Sequence, residues 1–173
     1  MVLAGDIPGV LSAMRSAHDR AFWMCLEHPD VISHARTLSR LASLSKRMWA
    51  TRHGLPPRQL TNIDTTKAEL CRQISEFLQP EQFRGVHCVV EHMQRENGVE
   101  CFFAYPSDYF AELEIYDSRG ELERADLRQA FKIVFAYHSQ SGALDIYSPG
   151  GADVKNRLAR IFAYAALEMN QDL

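Results

Sequence analysis

The hydrophobic pattern of this chain changes period near Gly85. Before that point apolar residues recur every three or four positions, the repeat of one helix face. After it they alternate or cluster in β-branched and aromatic runs, the repeat of strands. A segment patterned for one period cannot bury its apolar face in the other. Helices followed by strands, rather than alternating with them, predict an α+β domain and exclude a doubly wound parallel sheet.

In the leading half, Val10, Met14, Ala17, Ala21 and Phe22 form one stripe. They predict a helix from Pro8 to about Glu27, with Pro8 suited to a first helical position. A second helix is expected from Pro29 to about Thr51. A third follows the loop HGLPPRQLTN, whose Pro-Pro pair suits a stiff connector and excludes a helix interior. Thr66 and Glu69 have capping-box spacing there, and Leu70, Ile74, Phe77 and Leu78 mark the buried face.

In the trailing half, strands are expected at 86–94, 99–105, 110–116, 121–125, 130–138 and 143–147. The segments ENG, DSRG and SQSG between them are tight-turn sequences, and tight turns make neighbouring strands antiparallel. A last helix, about Ala152 to Met169, gathers Val154, Leu158, Ile161, Phe162 and Ala165 on one face, so it should dock on the sheet. The expected architecture is one domain over 1–173. Its helical part spans 1–84, with about three helices. An antiparallel meander of five to six strands and the closing helix span 85–173. The core should begin with Phe131, Ile133, Phe135, Leu144, Ile146, Leu158 and Phe162.

With 173 residues, 46% of them hydrophobic, such a domain needs neither metal nor disulfide to hold it. Cys25, Cys71, Cys88 and Cys101 form no C-x-x-C pair, which points to free thiols and a reducing, cytoplasmic setting. The opening MVLAGDIPG is too short for a secretory apolar region. No apolar run approaches the roughly 18 residues that span a bilayer, so no membrane partner is expected.

The most unusual chemical feature is a basic stretch. From Val31 to Ile63 there are six arginines and lysines and no acid, although the formal net charge of the whole chain is −3. Continued as one helix, the stretch would bring Arg36, Arg40 and Arg47 within about 40° of one another at roughly 100° per residue. Trp49, Arg52, His53 and Arg58 extend the positive region into the loop. Guanidinium forks match phosphates, so nucleic acid is one candidate partner. A solvated helix face is the plainer explanation. A third comes from residues 108–126, which hold seven acids and two arginines. An acidic half and a basic half suit pairing within the chain, a second copy, or another protein. Trp23, on the polar side of its helix, suits either a partner anchor or a residue covered by its own chain.

Catalytic patterns are incomplete. In HCVVEH (87–92), His87, Glu91 and His92 are all ligand types. On a strand, His87 and Glu91 would stand about 13 Å apart at roughly 3.3 Å per residue, and Glu91 and His92 would face opposite ways. One metal cannot gather the three, so no metal site is expected. A two-residue Asn97-Gly98 loop would pair His92 with Phe103 and Glu91 with Ala104. YSPGGADVKNR enters a helix through Gly150 and Gly151, but it matches neither nucleotide-binding glycine loop, and no cofactor is expected. The preferred reading is a non-catalytic binding or adaptor module contacting a protein partner or a copy of itself. Its binding residues would be Arg36, Arg40, Arg47, Trp49, Arg52, Arg58 and Trp23. The alternatives are nucleic-acid binding through the arginines of 36–58, and an enzyme with its site near the sheet.

Overall fold

The computed structural model describes residues 6–95 and 98–169, with no side-chain description for Glu81 and Gln82. The chain divides between Ser45 and Lys46 into two compact units.

The first unit holds α1 (Ile7–Ala13), α2 (Ala17–Glu27) and α3 (Pro29–Ala42). The helix expected over Pro8–Glu27 is therefore two helices. Met14 is extended, with φ −83° and ψ 134°, and caps α1. Ser16 restarts the chain by accepting the Asp19 N–H on its side chain, an N-cap bond. The Arg20 guanidinium donates to the Met14 carbonyl across the break. The helix expected to reach Thr51 stops at Ala42. Ser43 caps α3, and its hydroxyl donates to the Arg40 carbonyl, a local bond that competes with helix continuation. None of the three helices contains a buried residue.

The second unit begins with a single 3-10 turn (Lys46–Met48) and then β1 (Trp49–Arg52), a strand where a helix was expected. The reason is tertiary. Trp49 to Arg52 pair antiparallel with Tyr147 to Leu144 of β6 (Ala143–Tyr147), closing an edge that would otherwise present unpaired backbone groups. After a loop come α4 (Ile63–Gln82), β2 (Cys88–Arg95), β3 (Val99–Tyr116), β4 (Leu122–Ala130), β5 (Ile133–His138), β6 and α5 (Ala152–Leu167). The six strands run β1-β6-β5-β3-β2, with β4 also paired to β3, and every pairing is antiparallel. This is the expected α+β class, with four helices rather than three ahead of β2.

α4 starts at Ile63, straight after the HGLPPRQLTN loop, with Asn62 as its N-cap and Thr66 inside its first turn. The Thr66 N–H is satisfied by the Asn62 carbonyl at 2.9 Å, and Glu69 turns to Arg72 and Gln73 instead of closing a capping box. α4 and α5 pack on one face of the sheet. Leu70, Ile74 and Leu78 of α4 and Leu158, Ile161 and Phe162 of α5 meet Phe102, Phe135, Tyr137, Leu144 and Ile146. Six of the seven core residues named from sequence are buried there. Phe131 is only partly buried and carries the Arg84 guanidinium 3.8 Å above its ring.

The two strands expected at 99–105 and 110–116 are one strand of 18 residues. Its first part pairs with β2 and β5 in the sheet. Beyond Ser107 a bulge sets Asp108 and Tyr109 against Gln129 alone, and the rest pairs only with β4. The result is a two-stranded ribbon, 110–116 with 122–128, in which no residue is buried. Opposed pairs place Ala111, Leu113, Ile115, Glu123, Ala125 and Leu127 on one of its faces. The other face holds Phe110, Glu112, Glu114, Tyr116, Leu122, Arg124, Asp126 and Arg128. Arg84 fixes the ribbon's root by an ion pair with Asp108 at 2.8 Å.

The hairpin register differs by one residue from the expectation. Arg95 pairs with Val99, so three residues connect the strands, His92 lies opposite Phe102 and Glu91 opposite Phe103. Gly98 takes φ +70°, the left-handed position of a three-residue hairpin loop. Asn97, on which the two-residue loop was based, lies outside the described residues.

Candidate functional site

The basic residues do not form one helix face. Arg36 and Arg40 lie on α3 in the first unit, while Arg47, Trp49, Arg52 and Arg58 belong to the second. All five arginines are exposed. Among the described residues none of them has a carboxylate within ion-pair distance; the pairs that do form involve Lys67, Arg72, Arg84, Arg124, His92 and His138. Trp49 is half-buried against Tyr147, with ring centroids 5.5 Å apart. Trp23 is half-buried with its ring edge toward His28 at 5.0 Å. Beside it on α2, Phe22 and Leu26 are 68% and 62% exposed, an apolar pair one helical turn apart.

The loop after β1 is held tightly. The Tyr137 hydroxyl, at the core's edge, donates to the Pro56 carbonyl and accepts the Arg58 N–H at 3.1 Å. Gly142 sits beneath it with φ +69°, and a Cβ there would lie 1.9 Å from the Leu55 carbonyl oxygen. The stiff connector expected from the Pro-Pro pair is thus a positioned segment that carries Arg52 and His53 at one end and Arg58 further on.

Two cavities flank this loop. The larger, about 580 Å³, lies between the start of α4 and the end of α5, with Arg58, Thr66, Glu69 and Glu168 in its lining. Two carboxylates and one guanidinium line it, so its charge does not favour an anion. The Arg72 guanidinium holds the Glu69 carboxyl below its ordinary range. The second cavity, about 340 Å³, lies between the end of β1 and the outer side of α5. Arg52, His53 and Arg160 line it, with Asn156 among them and, among the described residues, no acidic one.

The catalytic candidates are not brought together. His87 is exposed and precedes β2. Glu91 receives the Tyr105 hydroxyl at 3.3 Å on one face of the sheet. His92 lies on the other, 2.7 Å from the buried Glu100, which also accepts from Gln94. Gly150 takes φ +105° against Val154, so it serves the turn into α5. Among the described residues no group of three His, Cys, Asp or Glu could hold a metal ion. The sequence reading missed a cluster across β1, β6 and β5. Asp145 accepts the Thr51 hydroxyl at 2.6 Å and faces His138 Nε2 at 3.0 Å. The carboxylate stands between hydroxyl and imidazole, so the histidine has no nucleophile to activate.

No protein-family model matches the chain, and neither does any curated protein or solved structure. Among the described residues no helix is long and apolar enough to cross a membrane.

The thiols follow their surroundings. Burial pushes Cys101 up to about 11. Burial, and then the Cys71 thiol beside it, raises Cys88. Cys71 donates its S–H to the Cys88 carbonyl, while Cys25 is exposed.

Proposed function

We propose that this protein is a non-catalytic interaction module whose N-terminal helices dock on a second copy of the chain. One observation carries the reading: α1, α2 and α3 bear apolar residues at helical spacing, yet bury none of them. Helices this short draw most of their stability from burying such a face, so an uncovered face calls for a partner. Burying Phe22 and Leu26 alone would contribute about 1.5–3 kcal/mol each.

Charge selects the occupant. α3 and the residues after it are basic, with no acid from Val31 to Ile63. The ribbon formed by β3 and β4 is acidic and offers one largely apolar face, broken by Glu123, with no buried residue. An isolated two-stranded ribbon is marginal in water. Two copies would supply each other with the missing surface, Arg36 and Arg40 meeting the ribbon acids, in a self-complementary two-fold arrangement.

Sedimentation equilibrium tests this from about 1 to about 100 µM, the Kd range of a weak homodimer. The expected result is a monomer–dimer equilibrium that Phe22→Ser with Leu26→Ser on α2, and separately Leu113→Glu on the ribbon, shift to monomer. A monomer throughout, or a dimer indifferent to both changes, overturns it.

A second reading rests on the arginines that pair with no carboxylate among the described residues. Arg36, Arg40, Arg47, Arg52 and Arg58 could meet phosphates, and nucleic-acid binding would show as a salt-sensitive gel shift. Arg40→Ala with Arg47→Ala should weaken that shift, and no shift at low salt removes the reading.

A further inference from the structure

We infer that the cavity between the end of β1 and α5 binds a small organic phosphate. Its head would lie against Arg52, His53 and Arg160, and its apolar body on the floor of the cavity.

Three observations converge. The first is charge. The three cationic-type side chains come from separate places in the chain: the last residue of β1, the loop after it, and the third turn of α5. They line one concavity that, among the described residues, contains no Asp or Glu. Among the described residues neither arginine has a carboxylate within ion-pair distance. Like charges gathered without a counter-charge repel one another, and a dianion relieves that repulsion. Two guanidinium forks and an imidazole can together supply several donors to three phosphate oxygens.

The second is the floor. Leu55 from the loop and Ala163 from α5 line the same cavity. Apolar lining beside convergent polar groups is the usual composition of a small-molecule site, and about 340 Å³ falls in the range of roughly 300–1,000 Å³ for such sites. Inorganic phosphate alone would leave this part unfilled.

The third is an unsatisfied group. Asn156 Oδ1 is buried and has no hydrogen-bond partner. An unpaired buried amide oxygen costs about 1–3 kcal/mol, and a turn of the half-buried Asn156 amide toward the cavity would let a hydroxyl or N–H on a ligand remove that cost. The ligand class is therefore a phosphate monoester whose body carries an apolar surface and a donor.

The wall that carries the head is rigid. Arg52 is fixed by the β1–β6 ladder, where it pairs with Leu144, and Leu55 is fixed over Gly142. Arg160 and Asn156 stand one turn apart on a helix whose opposite face is core. The backbone of such a site needs no closure to form, and binding has to order only the side chains of Arg52, His53 and Arg160.

The test is calorimetric titration of the full-length protein with phenyl phosphate, inorganic phosphate and benzoate, repeated in Arg160→Gln and Arg52→Gln. Phenyl phosphate should bind at least about tenfold more tightly than inorganic phosphate, the share contributed by the apolar floor. Each variant should lose about tenfold or more for phenyl phosphate, with circular dichroism confirming that it is folded. The two arginines lie on different elements, so misfolding of one variant leaves the other decisive. A 5′-phosphorylated oligonucleotide, compared with its unphosphorylated form, identifies the source of the phosphate. Binding that depends on the 5′-phosphate and on Arg160 assigns the site to a strand end. Binding of phenyl phosphate alone assigns it to a free ester. Equal affinity for benzoate overturns the phosphate assignment. No preference over inorganic phosphate, or an affinity unchanged in both variants, overturns the site.

Discussion

Replacing Tyr137 with phenylalanine removes one oxygen and leaves the ring packed against Phe162, whose centroid is 5.6 Å away. That oxygen makes two bonds, donating to the Pro56 carbonyl and accepting the Arg58 N–H. Tyr137 itself has no exposed surface, whereas Pro56 and Arg58 are exposed residues. The released carbonyl and N–H can therefore find water, and the desolvation part of the penalty is small. Two neutral hydrogen bonds at about 0.5–1.5 kcal/mol each put the loss at about 1–2 kcal/mol, toward the lower half of their sum. Urea unfolding should show a lower midpoint with an unchanged m-value, because the surface exposed on unfolding is the same. Amide exchange at Arg58 should accelerate, since its N–H loses its acceptor. If the loop positions the cavity, phenyl phosphate should also bind a few-fold more weakly, because His53 and Leu55 gain freedom. A loss under about 0.3 kcal/mol with Arg58 exchange unaltered would refute the claim that this hydroxyl holds the loop.

Gly142→Ala attacks the same anchor from the other side. Its Cβ would fall 1.9 Å from the Leu55 carbonyl oxygen on a backbone with φ +69°, and urea unfolding should register a loss of about 2–4 kcal/mol. Arg84→Met keeps the stacking on Phe131 but removes the pair with Asp108, so limited proteolysis should accelerate within the ribbon while α5 remains protected. Cys101 has a raised folded value, so its contribution is complete below the unfolded thiol range. It is lost as pH climbs toward about 11, and Cys101→Ala should flatten that alkaline decline. Glu69 has the opposite sign. Its lowered folded value stabilises the protein above the ordinary carboxylate range and is lost on acidification. Glu69→Gln should reduce the acid dependence by under about 1 kcal/mol, since the pair with Arg72 is largely exposed.

The legible part of this fold was the part that builds the core. α5 and β6 repeat or alternate cleanly because each has one face on the core, while β5 reads as a continuous apolar run because Ile133 to Tyr137 are buried on both faces. Ile133, Phe135, Leu144, Ile146, Leu158 and Phe162 are all buried. The leading half misled for a physical reason. Periodicity reports which residues could share a face, not whether anything covers it. The stripe through Val10, Met14 and Phe22 looks like a single core-facing helix, yet the chain breaks at Met14 and buries none of these residues. Residues 49–52 read as the end of a helix because the open edge of β6, some 95 residues later, is invisible to a local window. The hairpin register slipped by one because loop length, which fixes it, depends on the backbone conformation near Gly98 rather than on the pattern of the strands.

The candidate site was half legible for the same reason. Arg52 belonged to the basic stretch that stood out, but Arg160 and Asn156 lie off the apolar stripe of Val154, Leu158, Ile161, Phe162 and Ala165, and nothing in the local pattern of α5 sets them apart until β1 is in place. β1 pairs Arg52 with Leu144 on β6, and β6 leads through Gly150 directly into α5. A strand at the sheet edge therefore ends beside the helix that starts from its neighbour, and α5 carries Asn156 and Arg160 back past that end. Had the chain stayed helical to Thr51, Arg36, Arg40 and Arg47 would share one stripe and Arg52 would have no structural reason to meet α5. The strand that upsets the expected arginine face is the same one that builds the cavity. A substitution that weakens the β1–β6 ladder, such as Ala50→Pro, should thus cost phenyl phosphate binding while leaving the charge of the basic stretch unchanged.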